Sequence, residues 1–133
     1  MATLVKRKPK AKEMKIVPAL RDYFRAKLAA ELGPHDLKHL LDAGNREVVV
    51  LDVRSKEGYR KAHVPGAVHI PFEELSRRAG ELDRSKEYIS YCWNETCFLA
   101  ARACYYLASQ GFVARELVGG IGAWTAASFP TEK

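Results

Sequence analysis

Residues 47–53 read Glu-Val-Val-Val-Leu-Asp-Val. A continuous β-branched and aliphatic run of this length, without alternation of polar and apolar positions, is how a strand buried on both faces reads. It predicts a central strand of a parallel sheet. Downstream, Ser55–Ala62 has the composition of a short helix, Val64-Pro65-Gly66 of a turn, and Ala67–Ile70 of a brief strand closed by Pro71. Phe72 opens a helix that ends near Gly80, and Glu87–Cys92 (EYISYC) is a further strand. Cys97–Ser109 follows as a strong helix with small residues at Ala100, Ala101 and Ala103. Phe112–Val118 gives the last strand, Gly119-Gly120 a tight turn, and Ile121–Ser128 a closing helix. Upstream, Leu20, Phe24, Leu28 and Leu32 recur every four residues, which predicts an amphipathic helix over Val17–Leu32, with Pro18 in its first turn and a stop at Gly33-Pro34. His35–Ala43 is a second, shorter helix ended by Gly44. Strands separated by helices imply an α/β domain: a parallel sheet of about five strands covered on both faces, with ligands bound beyond the carboxyl ends of the strands.

Length and composition bound the function. A chain of 133 residues, 47% hydrophobic and 29% charged, fits one soluble domain. No stretch approaches the roughly 20 apolar residues of a membrane span. The formal charge of +6 is lopsided: residues 1–15 carry six basic side chains against Glu13, and the remaining 16 basic residues face 15 acidic ones. The body is nearly neutral, so nucleic acid is not an expected partner, and residues 1–15 read as a basic, disordered tail. Residues 16–33 then form a helical extension and 34–133 the domain proper. The amino terminus lacks the apolar core of a secretory signal. Three cysteines at spacings unlike paired zinc ligands argue against a disulfide framework or a metal site and favour a reducing cytoplasm.

Cys92 is the candidate reactive centre. It ends a predicted strand, and with the next helix placed about four residues later, Trp93, Asn94, Glu95 and Thr96 have to form a tight turn around it. Backbone N–H groups of such a turn, and those at a helix start, form a nest for negative charge. A thiol placed there is expected to ionise more readily and gain nucleophilicity. The competing reading is a small buried hydrophobe at a strand end.

Three segments carry a family resemblance: VVVLDVRSKEGYRKAHVPGAVHIP at 48–71, YISYCWNETCFLAARA at 88–103 and ELVGGIGAW at 116–124. In this order and spacing the chain resembles a single-domain rhodanese. The resemblance implies a sulfurtransferase in which Cys92 takes the outer sulfur of a donor, holds it as a persulfide and passes it to a nucleophile, with no cofactor and no metal. It implies a sulfur donor, either a small molecule or a persulfide protein, and a thiol or protein acceptor. No membrane partner is expected, and the chain reads as a monomer or weak dimer. Asp52 and His63 match signature positions whose usual part is structural, tying loops together through charge-assisted hydrogen bonds. Arg54 has two readings, scaffold or ligand for an anionic donor. Gly119 and Gly120 match paired glycines that give backbone freedom near the loop. Trp124 reads as core.

The loop departs from the family pattern. The commonest form has Cys, two residues, Gly, any residue, Arg, then Ser; here Glu95, Cys97 and Phe98 take the Gly, Arg and Ser positions. Loss of the Arg removes the obvious ligand for thiosulfate. An inward Glu95 adds a repulsion of roughly 3 kcal/mol at about 6 Å and an effective dielectric near 20, and raises the thiol pKa. Weak thiosulfate activity is therefore expected, and a persulfide donor is favoured, with Trp93 and Phe98 as an apolar rim. Cys97 has two readings as well: first-turn packing, or a resolving thiol that forms a disulfide with Cys92. Cys104 reads as core. The rival functions are a non-catalytic binding module and a Cys92/Cys97 redox switch. A phosphatase or arsenate reductase, which needs a loop one residue longer with Arg near its end, is disfavoured.

Overall fold

The computed structural model describes residues 15–133, so the basic tail lies almost entirely outside the described residues. Five strands form one sheet: β1 (Glu31–Leu32), β2 (Val48–Asp52), β3 (Val68–His69), β4 (Glu87–Tyr91) and β5 (Val113–Leu117). Their spatial order is β1-β5-β4-β2-β3 and every pairing is parallel. The aliphatic run at 47–53 is β2, an interior strand flanked by β3 and β4, and the median strand is β4. Six α-helices accompany them: α1 (Pro18–Ala30), α2 (Pro34–Asp42), α3 (Lys56–Lys61), α4 (Phe72–Arg78), α5 (Leu99–Ser109) and α6 (Gly120–Ala126). A 3-10 turn over Ala79–Glu81 extends α4. The expected α/β class, parallel sheet and extra N-terminal helix are all present.

Side-chain parity along the strands builds two cores. Val50, Ile89, Tyr91 and Leu117 face one side, where α2 contributes Leu37 and α6 contributes Ile121 and Trp124. Leu51, Val53, Tyr88 and Cys92 face the other, covered by Leu75 of α4 and Ala100, Ala103 and Leu107 of α5. The small residues noted in α5 are what let it lie close to the sheet. Each fully buried Leu here contributes roughly 1.5–3 kcal/mol relative to exposure. Trp124 is fully buried, with its indole N–H donating to the Pro130 carbonyl at 2.8 Å.

The N-terminal region departs from expectation. Glu31 and Leu32 do not end a helix; they form β1, the sheet edge beside β5. Helix α1 therefore stops at Ala30, and none of its residues is buried. Of the four apolar positions spaced by four, only Leu32 enters the core, whereas Leu20, Phe24 and Leu28 are exposed. Pairing of residues 31–32 with β5 takes the chain into the sheet and leaves the apolar stripe of α1 on the outside.

Chain order places the site. From β2 the chain steps outward to β3, then crosses back to β4 and outward again to β5. The order reverses between β2 and β4, and ligand crevices of open α/β sheets lie beyond the carboxyl ends at such a point. Asp52 and Tyr91 are register partners there, one residue before Val53 and Cys92.

Candidate active site

β4 ends at Tyr91, so Cys92 opens the following loop rather than closing the strand. Its side chain is 2% exposed, packed with the core on the α5 side of the sheet. Two backbone bonds pin this point: the Ile121 N–H donates to the Cys92 carbonyl at 3.0 Å and the Gly122 N–H to the Trp93 carbonyl at 2.9 Å. The start of α6 can approach this closely because Gly119 and Gly120 have φ of 81° and 57°, and a Cβ on Gly120 would collide with the Cys92 carbonyl.

Helix α5 starts at Leu99, two residues later than the sequence pattern suggests, which leaves Cys97 in the loop and not in a first helical turn. Asn94 accounts for the delay. Its side-chain oxygen accepts the Thr96 N–H at 3.0 Å and the Thr96 hydroxyl at 2.7 Å, and its carbonyl accepts the Cys97 N–H at 3.1 Å. Such side-chain turns compete with helix initiation. They also take up two of the N–H groups expected to face the sulfur, those of Thr96 and Cys97. The turn brings Cys97 back toward Cys92, and the two form a disulfide with Cα atoms 6.4 Å apart, inside the span such bonds require. Cys97 is half-buried.

Glu95 is exposed. In water-like dielectric the repulsion expected of an inward carboxylate falls from roughly 3 to about 0.7 kcal/mol at the same separation. Phe98 is 65% exposed and Trp93 43% exposed. Trp93 nevertheless has a fixed seat: its ring lies over Gly58 of α3, where a Cβ would come within 2.7 Å of the indole, and the Arg54 guanidinium carbon is 4.5 Å from the ring centroid.

Beneath the loop lies a buried polar network. The Asp52 carboxylate accepts the Arg54 backbone N–H at 2.9 Å, Arg54 Nε at 3.1 Å, Arg54 Nη2 at 2.8 Å and the Tyr91 hydroxyl at 2.5 Å. Arg54 Nη2 also donates to the Ala62 carbonyl at 2.7 Å. Burial pulls the Arg54 guanidinium down, but its hydrogen bond and charge pairing with Asp52 outweigh that and hold it above its ordinary value. Burial, reinforced by the Asp52 charge, raises the Tyr91 phenol far above the usual range, so it remains a neutral donor. Tyr91 in turn accepts the Val64 N–H at 3.1 Å. Arg54 is 2% exposed and spends Nε and Nη2 on Asp52 and Ala62.

His63 stacks on Tyr59 at 3.8 Å, with Nδ1 2.8 Å from the Tyr59 carbonyl. Its backbone pairs in both directions with Glu132 at 2.9 Å, and His69 stacks on the same Tyr59 ring at 4.5 Å. Tyr91, Tyr59, Gly58 and Glu132 are thus parts of the site's support that sequence reasoning did not single out. A signal existed only for Tyr91: a Tyr at the end of a buried strand needs a partner for its hydroxyl. Cys104, expected in the core, is half-buried on α5, and burial pushes its thiol up to about 11.

Two shallow concavities of about 330 and 310 Å³ lie elsewhere, one beside Trp124 and Leu41 and the other between Leu28 and Val118. Among the described residues no cluster of His, Cys, Asp or Glu is placed to hold a metal ion, and no helix is long and apolar enough to cross a membrane.

Comparison with known proteins agrees with this architecture. Residues 33–127 match the model of the rhodanese-like domain. The chain is 31% identical over 100 residues to the putative sulfurtransferase YtwF of Bacillus subtilis, covering 75% of this chain and 94% of that one. It is 41% identical over 78 residues to the putative sulfur carrier protein YrkF of the same organism, covering 57% of this chain but only 40% of YrkF. An HTH-type transcriptional regulator of Mycobacterium tuberculosis is 33% identical over 87 residues, which are 65% of this chain and 38% of the regulator. Among solved structures, the BH2092 protein of Bacillus halodurans superposes with a TM-score of 0.79 at 33% identity, covering 86% of this chain and 84% of that one. With its parallel five-stranded sheet, its cysteine loop at the switch point and a family match over most of its length, the chain belongs to the rhodanese-like domain family.

Proposed function

We infer that the chain has a role in sulfur transfer, which relatives named sulfurtransferase or sulfur carrier support. We propose that Cys92 performs it as a persulfide. The reduced Cys92 thiolate attacks the outer sulfur of a donor persulfide; a new S–S bond forms at Cys92, the donor's S–S bond breaks, and the donor leaves as a thiolate. A nucleophilic acceptor then attacks the outer sulfur and restores the Cys92 thiolate.

One observation carries this reading: the family's cysteine position is occupied, and its backbone is pinned at the carboxyl end of the median strand by Ile121 and Gly122. The donor class follows from the loop. Residues 92–98 include no cationic side chain, and Arg54 is committed to Asp52, so a thiosulfate dianion lacks a ligand. The exposed rings of Trp93 and Phe98 suit a low-molecular-weight or protein persulfide. Intact-mass measurement of the reduced protein after incubation with a persulfide donor tests this. A gain of about 32 Da, one sulfur atom, is expected on a Cys97→Ser variant, whose loop keeps Cys92 as its remaining thiol, and not on Cys92→Ser. Absence of any adduct at Cys92 with every donor class would favour the reading of a non-catalytic binding module.

A further inference from the structure

The loop contains a second thiol at the position where the family pattern carries Arg, and that thiol is bonded to Cys92. Three features make the pairing a built-in property of the loop. The Asn94 turn folds residues 94–97 back on themselves through three hydrogen bonds. Cys92 cannot move away, since its carbonyl is held by Ile121. The two residues also differ in access: Cys92 is 2% exposed and Cys97 is half-buried.

Resting on the persulfide reading of Cys92, we propose that Cys97 resolves the Cys92 persulfide and discharges its sulfur as sulfide, making the protein a persulfide reductase that turns over with a dithiol reductant. The Cys97 thiolate attacks Sγ of Cys92. The Cys97–Cys92 disulfide bond forms, the bond from Cys92 to the outer sulfur breaks, and that sulfur leaves with the electron pair as HS−. Sulfane sulfur is reduced to sulfide and the two cysteine thiols are oxidised to the disulfide. A thiolate of the dithiol then attacks the more accessible Cys97 sulfur and expels the Cys92 thiolate; the second thiol of the reductant attacks the mixed disulfide and frees Cys97. The sum is one donor persulfide and one dithiol converted to one donor thiol, one sulfide and one oxidised reductant.

Proximity explains why this competes with transfer to an external acceptor. A thiol tethered five residues away, inside a loop already closed to 6.4 Å between Cα atoms, acts at an effective concentration far above that of any free thiol. Access fixes the order of events in the reductive half: exchange proceeds at the sulfur a thiolate can reach, and here that is Cys97.

A single-turnover experiment decides it. Fully reduced protein is mixed with one equivalent of glutathione persulfide in the absence of other thiols, and sulfide release is followed with a fluorogenic sulfide probe while quenched samples are weighed intact. The wild type is expected to release about one equivalent of sulfide and to end about 2 Da below its reduced mass, the loss of two hydrogens to a disulfide. Cys97→Ser and Cys97→Ala are expected to accumulate the adduct of about 32 Da and to release sulfide at least about tenfold more slowly. If the wild type holds the adduct as long as both variants do, the resolving role of Cys97 is overturned while Cys92 remains a carrier. If neither the wild type nor the Cys97 variants ever gain or release sulfur, the persulfide reading itself falls, and this inference with it.

Discussion

Replacing Asp52 by Asn tests the polar network under the loop. The substitution preserves shape but leaves the Arg54 guanidinium, 2% exposed, without the carboxylate that is itself fully buried. Removing one partner of a buried ion pair costs about 3–5 kcal/mol. Arg54 keeps its bond to the Ala62 carbonyl and its place beside the Trp93 ring, and the amide oxygen can still accept one donor, so the lower end, about 3 kcal/mol, is expected. With a urea m-value of about 2 kcal/mol/M for a domain of this size, the unfolding midpoint should fall by about 1.5 M at unchanged m. Urea melts at pH 7 followed by far-UV circular dichroism measure it. The same melts on Arg54→Met and on the double variant close a cycle. The double variant buries no unpaired charge, so a coupling of at least about 2 kcal/mol is expected. A midpoint drop under about 0.5 M, or a double variant whose loss is the sum of the singles, would show that the pair does not hold the loop's floor and that the argument from its burial is wrong.

Three further outcomes follow from particular contacts. Gly120→Ala combines a φ of 57° with a Cβ that meets the Cys92 carbonyl, whereas Gly66→Ala has a φ of 78° and an open surrounding; urea melts should show a loss of about 2–4 kcal/mol for the first and about 1–2 for the second, and equal losses would remove the claimed packing of α6 on the loop. In the reduced protein at pH 8, iodoacetamide should label Cys104 about 100-fold more slowly than an ordinary thiol, because burial raises its pKa from 9.0 to about 11; labelling within about fivefold of a free thiol, read by peptide mass spectrometry, would contradict that burial. Glu116, register partner of Glu31 across β5 and β1, has its carboxyl raised by burial and then by the Glu31 charge. Since the folded state there favours the protonated form, stability falls as pH rises through the raised pKa, so Glu116→Gln should stabilise at pH 7 by a few tenths of a kcal/mol after screening and not at pH 3.5; an unchanged difference between the two pH values would exclude the titration of Glu116 as its cause.

The alternation of strands and helices was legible in part because β2 and β4 are largely buried and read as apolar, β-branched or aromatic runs. The spacing that predicts a helix over Val17–Leu32 overruns the helix's end at Ala30 for a physical reason. A spacing of four identifies an apolar stripe but not what the stripe meets, and Leu32 meets the sheet as part of a strand while Leu20, Phe24 and Leu28 meet solvent. Two residues are too few to produce a strand signal in sequence; β1 exists because β5 offers an edge for Glu31 and Leu32 to pair with. Helix α5 starts later than its composition predicts for a related reason. Cys97-Phe98-Leu99 has helical composition, yet Asn94 offers Thr96 and Cys97 alternative hydrogen bonds, and a local side-chain turn outweighs propensity at a helix start.

Within the candidate site, Cys92 was visible because chain order alone puts it just beyond the end of an interior parallel strand. Its support was less so, since Tyr91, Tyr59 and Glu132 act through hydrogen bonds and stacking between segments up to 69 residues apart, as in the pairing of His63 with Glu132. Arg54 illustrates the gap: sequence position allowed it to face a donor or the scaffold, and only the three-dimensional partners, Asp52 and Ala62, account for its Nε and Nη2. That commitment bears on the chemistry. With Arg54 spent below the loop and a thiol in place of the family's loop Arg, a free anionic donor loses the cation that would hold it, and the same exchange supplies an internal sulfur nucleophile. On the proposed chemistry, a cysteine at position 97 would thus shift the site away from binding thiosulfate and toward reducing the sulfur that Cys92 takes up.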